Sequence, residues 1–315
     1  MAQAVEARAA VEVFDERLRR VLPAQPRLER LCTGARWSEG PVWMHEDDSV
    51  LWSDIPNNRM LRWSARDGMN VWRANVEFTN GHVREHDGAL LHCSHGLRAI
   101  VRTRFGAGLS SPRDEIVVDR FEGKRLNSPN DVVVKRDGTI WFTDPPYGIA
   151  SDHEGHKAKS ELGTNCVFCF DPRSARLTVV SDWVEEPNGL AFSADETMLY
   201  VSDTSAAMRK DGAGYHHIAA FDVGPGNTLS TPRVFAVIEP GLADGFRLDE
   251  QGWIYTSSAD SVQVLHTDGT LLGKIHVPEK VGNLTFGGHG RDQLYICAST
   301  SLYRIALHTR GIQAP

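Results

Sequence analysis

The sequence predicts an all-β fold, a six-bladed β-propeller, preceded by an N-terminal helical extension. Three recurring features predict the propeller. A polar anchor opens a short strand-like segment six times: Glu39-Gly-Pro-Val-Trp43, Asn80-Gly-His-Val83, Asn130-Asp-Val-Val133, Asn188-Gly-Leu-Ala191, Asp244-Gly-Phe-Arg247 and Asn283-Leu-Thr-Phe286. A turn-like pair follows each anchor by seven or eight residues, as in Asp87-Gly88 and Asp137-Gly138. A second apolar strand then follows, as in Ile140-Trp141 and Leu199-Tyr200. Anchors spaced by 41, 50, 58, 56 and 39 residues suit one continuous array of four-stranded blades rather than two ordinary domains.

Taken in order, residues 3 to 22 read as a helix, with Val5, Ala9, Val13, Leu18 and Val21 apolar among charges. Pro23 and Pro26 end it. The expected division is an extension over 1–30, packed outside the main body, and a propeller over 31–315. From about residue 30 onward, short β-branched runs such as Ile116-Val-Val118, Val132-Val-Val134 and Thr178-Val-Val180 alternate with turns such as Asp67-Gly68 and Asp268-Gly269. The longer units carry insertions at Gly106 to Arg113, Tyr147 to Leu162 and Ser205 to His217. Loops of this composition at one rim shape ligand sites.

Hydrophobic residues make up 41% of the chain and charged residues 24%, ordinary for a globular protein. A net charge of -7 and the lack of a basic stripe argue against nucleic acid. No apolar run approaches the roughly 18 residues of a spanning helix, so no membrane partner is expected. The acidic N-terminus, with Glu6, Glu12, Asp15 and Glu16, lacks a signal-peptide core, and the expected location is cytoplasmic. Cys166-Val-Phe-Cys169 sits in a strand, where residues three apart point to opposite faces, so it reads as two buried thiols. A homodimer through the N-terminal segment is left open.

In a propeller the innermost strands run the same way along the channel, so all six anchors meet at one mouth. Any single Asn or Asp there suits a turn or strand cap. Several converging amide and carboxylate oxygens are costly to bury unless something satisfies them. A hard divalent cation does so, and oxygen-only ligands favour calcium, with zinc, manganese or magnesium as alternatives. Glu39 and Asp244 would balance its charge, and Asn130 and Asn188 would add neutral oxygens.

The motifs Ser38-Glu-Gly-Pro-Val-Trp43, Arg125-Leu-Asn-Ser-Pro-Asn-Asp-Val-Val-Val134, Ile140-Trp-Phe-Thr-Asp-Pro-Pro-Tyr-Gly148, Pro187-Asn-Gly-Leu-Ala-Phe-Ser193 and Asp244-Gly-Phe-Arg-Leu-Asp249 resemble the gluconolactonase, SMP-30 and luciferin-regenerating enzyme family. The resemblance covers most of residues 30 to 307. It implies a six-bladed propeller with one catalytic divalent metal, hydrolysing sugar lactones such as glucono-1,5-lactone to aldonic acids. Carried over by position, it implies metal ligands Glu39, Asn130, Asn188 and Asp244, with Asp244 also the general base. It further implies Arg125 and Asn127 as substrate contacts. Shorter relatives have Arg-x-Asn-Asp, but in this chain only Asn130 lies seven residues before the Asp137-Gly138 turn. Ala243 stands where relatives often have Pro.

Other features read as structural. Asn80 and Asn283 satisfy channel backbone or water, and Asp144 and Asp203 hold turns. His82, His86, His92 and His95 are scattered by strand alternation, with His95 nearest the channel, while His216 and His217 lie in an insertion. The sequence lacks both a Gly-x-Ser-x-Gly elbow and a His-Glu-x-x-His motif. Two rival functions remain at this level: a phosphotriesterase or arylesterase using the same metal ring, and a non-catalytic propeller scaffold.

Overall fold

The computed structural model describes residues 5–209 and 213–312. Blade one is Ser38–Met44, Ser49–Asp54, Arg59–Ser64 and Gly68–Ala74; blade two is Thr79–Arg84, Leu90–Ser94, Ala99–Arg104 and Arg113–Val118. Blade three is Val132–Val134, Ile140–Asp144, Cys166–Asp171 and Arg176–Ser181; blade four is Pro187–Phe192, Met198–Asp203, His217–Gly224 and Arg233–Val237. Blade five is Phe246–Leu248, Ile254–Thr256, Ser261–Leu265 and Leu271–His276. Blade six joins Val281–Gly287, Gln293–Ala298 and Ser301–Ala306 to Arg27–Thr33 from the start of the chain. Each first-named strand touches its counterpart in the next blade, and the last touches the first, closing a ring around a channel.

The residue pattern explains the layering. The second strand Ser49–Asp54 is buried throughout because blades cover both of its faces, whereas the outermost strand Arg113–Val118 is largely exposed. Six hydrophobic clusters each fill the space between two adjacent blades among the described residues. Trp141 and Val167 of blade three, for example, pack with Leu190 and Val201 of blade four. The expected turns form as the repeat predicts. Asp87, Asp137 and Asp195 accept the backbone N–H two residues on, at 3.0, 2.9 and 3.1 Å. Gly88 and Gly138 supply the left-handed backbone, at φ 87° and 85°.

Asp144 and Asp203 hold loops, as their positions suggest, and with Asp54 they do so in one way. Each ends a second strand and accepts the N–H of the residue three before its blade's anchor. The pairs are Asp54 with Arg36 at 2.8 Å, Asp144 with Asn127 at 2.7 Å and Asp203 with Glu185 at 2.8 Å. These clamps set where each inner strand enters the channel. Cys166 and Cys169 lie on one strand and are buried and unpaired, as expected.

The N-terminal segment differs from the expected helix. Over its described part, Val5–Arg8 and Val11–Val13 are strands, followed by a 3-10 turn at Glu16–Arg20; residues 3 and 4 lie outside the described residues. Val5–Arg8 pairs with Arg27–Thr33, and Val11–Val13 pairs with Leu271–His276. The outer edges of blades six and five offer unpaired backbone groups, and extended chain satisfies them where a helix cannot. Nor does the segment sit outside the body, since Leu18, Val21 and Leu22 are buried in the cluster between those two blades. Arg27–Thr33 also runs across the expected boundary between residues 30 and 31.

Two predictions follow from this packing. Leu18→Ala should cost about 3 kcal/mol of unfolding free energy, as for other buried leucines; chemical denaturation showing no loss would mean the segment is peripheral. Burial pushes the Asp144 carboxyl up to about 7, against lowering by the Asn127 and Ser128 N–H groups. Its folded value thus exceeds its unfolded one. The associated stability is full below pH ~4 and is lost as pH rises through ~7. Asp144→Asn should remove that loss, so the stability difference from the parent should change between those limits; a constant difference would contradict the assignment.

Candidate active site

Because every anchor lies within two residues of the start of an innermost strand, the anchors gather at one mouth of the channel. There an open cavity of about 300 Å³ is lined by Glu39, Asn80, Asn130, Asn188 and Asp244, among others. The four expected ligands thus come together, although the chain separates Glu39 from Asp244 by most of the propeller. Asn283 does not line the cavity but donates to Glu39 Oε2 at 3.1 Å, tying the sixth anchor to the first.

Glu39 is 3% exposed. Its Oε2 also accepts the Gly40 N–H at 3.0 Å, while its Oε1 is buried without a hydrogen-bond partner. Burial, and next the charge of Asp244, pushes the Glu39 carboxyl well above the ordinary range. Burial likewise pushes Asp244 up to about 7, with Lys280 pulling it down and Glu154 pushing it up. Asn188 donates through Nδ2 to Thr204 Oγ1 at 3.2 Å, which leaves its side-chain Oδ1 available. Two carboxylates, the buried Glu39 with an unsatisfied oxygen and the half-buried Asp244, beside amide carbonyls form a donor set that fits a hard, oxygen-ligated cation. Among the described residues no three His, Cys, Asp or Glu side chains gather as a metal site, so the histidines of blade two do not form one.

Arg125 and Asn127, expected as substrate contacts, do not line this cavity. The Asp144 clamp explains why for Asn127. Its N–H is held by Asp144, its Nδ2 donates to Asp144 O, Thr164 O and Asn165 Oδ1, and its Oδ1 accepts from Ser160 at 2.6 Å. That amide is fully committed. Arg125 donates to the Leu97 carbonyl at 2.7 Å.

The cavity wall holds residues that motif reading missed: Trp37, Tyr147, Glu154, Thr204 and Lys280. Tyr147 and Glu154 come from the Tyr147 to Leu162 insertion, which sequence analysis marked as a rim loop without singling them out. The insertion at Ser205 to His217 contributes Ala207, and its residues 210–212 lie outside the described residues. Trp37 and Lys280 stand two and three residues before their anchors, and this closeness to an anchor is the signal that could have flagged them. The Lys280 ammonium sits 5.2 Å from the Trp37 ring centre, a cation–π distance. His95 approaches the channel as expected, with Nε2 3.3 Å from Asn80 Nδ2 and Nδ1 2.8 Å from the Glu154 carbonyl.

Known proteins place this geometry. The family model for the SMP-30/Gluconolactonase/LRE-like region matches residues 37–300. A gluconolactonase of Zymomonas mobilis is 30% identical over 95% of this chain and 86% of its own length. A pentonolactonase of Haloferax volcanii is 29% identical over 84% of this chain and 82% of its own. Among solved structures, a gluconolactonase of Xanthomonas campestris superposes with a TM-score of 0.87 at 38% identity, covering 97% of each chain. By sequence, fold and anchor ring together, this chain belongs to the SMP-30/gluconolactonase/LRE-like family.

Proposed function

We propose that this chain hydrolyses sugar lactones of the glucono-1,5-lactone type to aldonic acids in the anchor-ring cavity. One observation carries the reading: Glu39, Asn130, Asn188 and Asp244 converge in a cavity of about 300 Å³, with a buried Glu39 oxygen left unpaired. That volume is at the small end for ligand sites and suits a single sugar ring. The names of the relatives support lactones as the substrate class. These four residues would hold a divalent cation, with calcium favoured by the all-oxygen donor set. When bound, such a cation supplies Lewis acidity toward the lactone carbonyl.

The protein's own groups supply the rest. Asp244, half-buried in the cavity wall, is suited to take a proton from the attacking water. Asn283 holds Glu39 in place from the neighbouring blade. Glu154, Lys280 and Tyr147 offer polar contacts to the hydroxyls of the ring, in the role sequence analysis expected of Arg125 and Asn127. Tyr147 Oη is paired with Thr204 Oγ1, which orients both toward the cavity they line. Positioning of this kind lowers the barrier by keeping water and carbonyl in reacting geometry. We place the reaction in the cytoplasm, since the five cysteines are unpaired as a reducing compartment requires.

A pH-indicator assay with several aldonolactones tests the proposal. Glu39→Gln and Asp244→Asn should each lower kcat/KM by about 100-fold or more, and chelation should abolish turnover until a divalent cation is restored. Near-normal lactone turnover in either variant would overturn the residue roles. Turnover of an organophosphate with none of any lactone would overturn the substrate class.

A further inference from the structure

Asn80 lines the anchor-ring cavity, between Glu39 and Asn130 in blade order, yet it is not among the four expected ligands. Its backbone is pinned on both sides. The Asn80 carbonyl accepts from Ser53 Oγ at 2.9 Å, and the Gly81 N–H donates to the Asn130 carbonyl at 2.9 Å. The side-chain amide has two faces to offer the cavity, an oxygen that accepts or a nitrogen that donates. The hydrogen bonds of His95 decide which.

His95 is 1% exposed. Its Nδ1 lies 2.8 Å from the Glu154 carbonyl, an oxygen that can only accept, so Nδ1 carries the proton. Burial pushes the ring down to about 4, with the Glu154 carbonyl raising it. Near neutral pH the ring thus holds one proton, and Nε2 keeps its lone pair. Nε2 therefore accepts, and the Asn80 atom 3.3 Å away is Nδ2. That turns Asn80 Oδ1 away from the ring. Among the described residues no donor reaches this oxygen, and it is not fully enclosed as the unpaired Glu39 Oε1 is. In a residue of the cavity wall, it opens onto the cavity.

The rim insertion holds this arrangement in place. It supplies the Glu154 carbonyl, and its Gly148 packs so closely that a Cβ there would lie 2.4 Å from that of His95. The Gly148 N–H is fixed in turn by Ser128 Oγ at 2.9 Å. A sugar lactone matches the exposed acceptor in one way. Its carbonyl and ring oxygens only accept, so Oδ1 can hold it only through a hydroxyl.

We propose that Asn80 Oδ1 accepts a hydroxyl of the lactone, and that His95 is a positioning residue that fixes the amide for this contact by holding Nδ2. The proposal rests on the lactonase reading and adds to it a wall contact that favours lactones bearing that hydroxyl.

Steady-state kinetics of the full chain, with glucono-1,5-lactone and a set of its monodeoxy analogues, test the proposal. Asn80→Ala should raise KM for glucono-1,5-lactone about tenfold with kcat within about twofold, since a contact made equally before and during reaction acts on KM. For one monodeoxy analogue that penalty should vanish, which identifies the hydroxyl. His95→Phe should raise KM in the same way. His95→Gln, whose amide offers a donor and an acceptor at a spacing like that of the ring nitrogens, should restore most of the loss. If His95→Phe fails to fold, Asn80→Ala and the analogues decide. An unchanged KM in Asn80→Ala, or an equal penalty across all analogues, would overturn the proposal and leave the lactonase reading intact. Weaker calcium binding by the Asn80→Ala chain, read by isothermal titration without lactone, would assign the oxygen to the cation and also overturn it. No lactone turnover by the unmodified chain would overturn both readings together.

Discussion

Everything in this molecule depends on how closely the six innermost strands approach one another. The Gly81 N–H donates to the Asn130 carbonyl and the Gly189 N–H to the Asp244 carbonyl, each at 2.9 Å, joining one anchor segment to the next. A side chain cannot be accommodated at these contacts. A Cβ on Gly40 would lie 2.2 Å from the Asn80 carbonyl oxygen, and one on Gly81 would lie 2.6 Å from that of Asn130. Hydroxyls complete the ring, with Ser53 Oγ donating to the Asn80 carbonyl at 2.9 Å and Thr143 Oγ1 to that of Asn188 at 2.6 Å. With the carbonyls of Asn80, Asn130, Asn188 and Asp244 directed at a neighbouring blade, the side chains of these anchors are left to face the channel. The glycine after an anchor is therefore a blade-to-blade contact as well as a turn residue.

That packing concentrates polar groups which would otherwise be solvated. At one mouth it gathers the buried Glu39, the half-buried Asp244 and several amides; toward the other it buries Arg247 against Asp131. A buried charge pair lacking its full set of hydrogen bonds is weak evidence for stability. The Asp54, Asp144 and Asp203 clamps extend this packing outward, because they hold the loops that feed each anchor into the ring. Both mouths thus share one framework.

Most of the fold was legible because a propeller repeats itself in sequence. Anchor, turn and second strand recur at matched positions, and each has a local physical cause: an Asx turn, a left-handed glycine, a run of β-branched residues. The four expected ligands were legible for the same reason, and they do meet in one cavity. Asn127 lies away from the cavity wall because Asp144, at the end of its blade's second strand, holds its N–H and its amide is fully bonded, which its local motif does not reveal. Glu154 and Tyr147 come from an insertion that carries no repeat pattern of its own.

The N-terminal segment draws the line most clearly. Its mixture of apolar and charged residues fits a helical period, yet Val11–Val13 lies against blade five as a strand. Local preference for such a short stretch is weak, and open sheet edges decide its conformation. The sequence by itself determined the blade count, the turns and the identity of the anchors, since these rest on residue-local conformational preferences repeated six times. Only the tertiary structure decided which polar groups are left unpaired, from Glu39 Oε1 at one mouth to Arg247 Nη2 toward the other. Hydrogen-bond satisfaction is a sum over neighbours distant in the chain, and no local pattern records it.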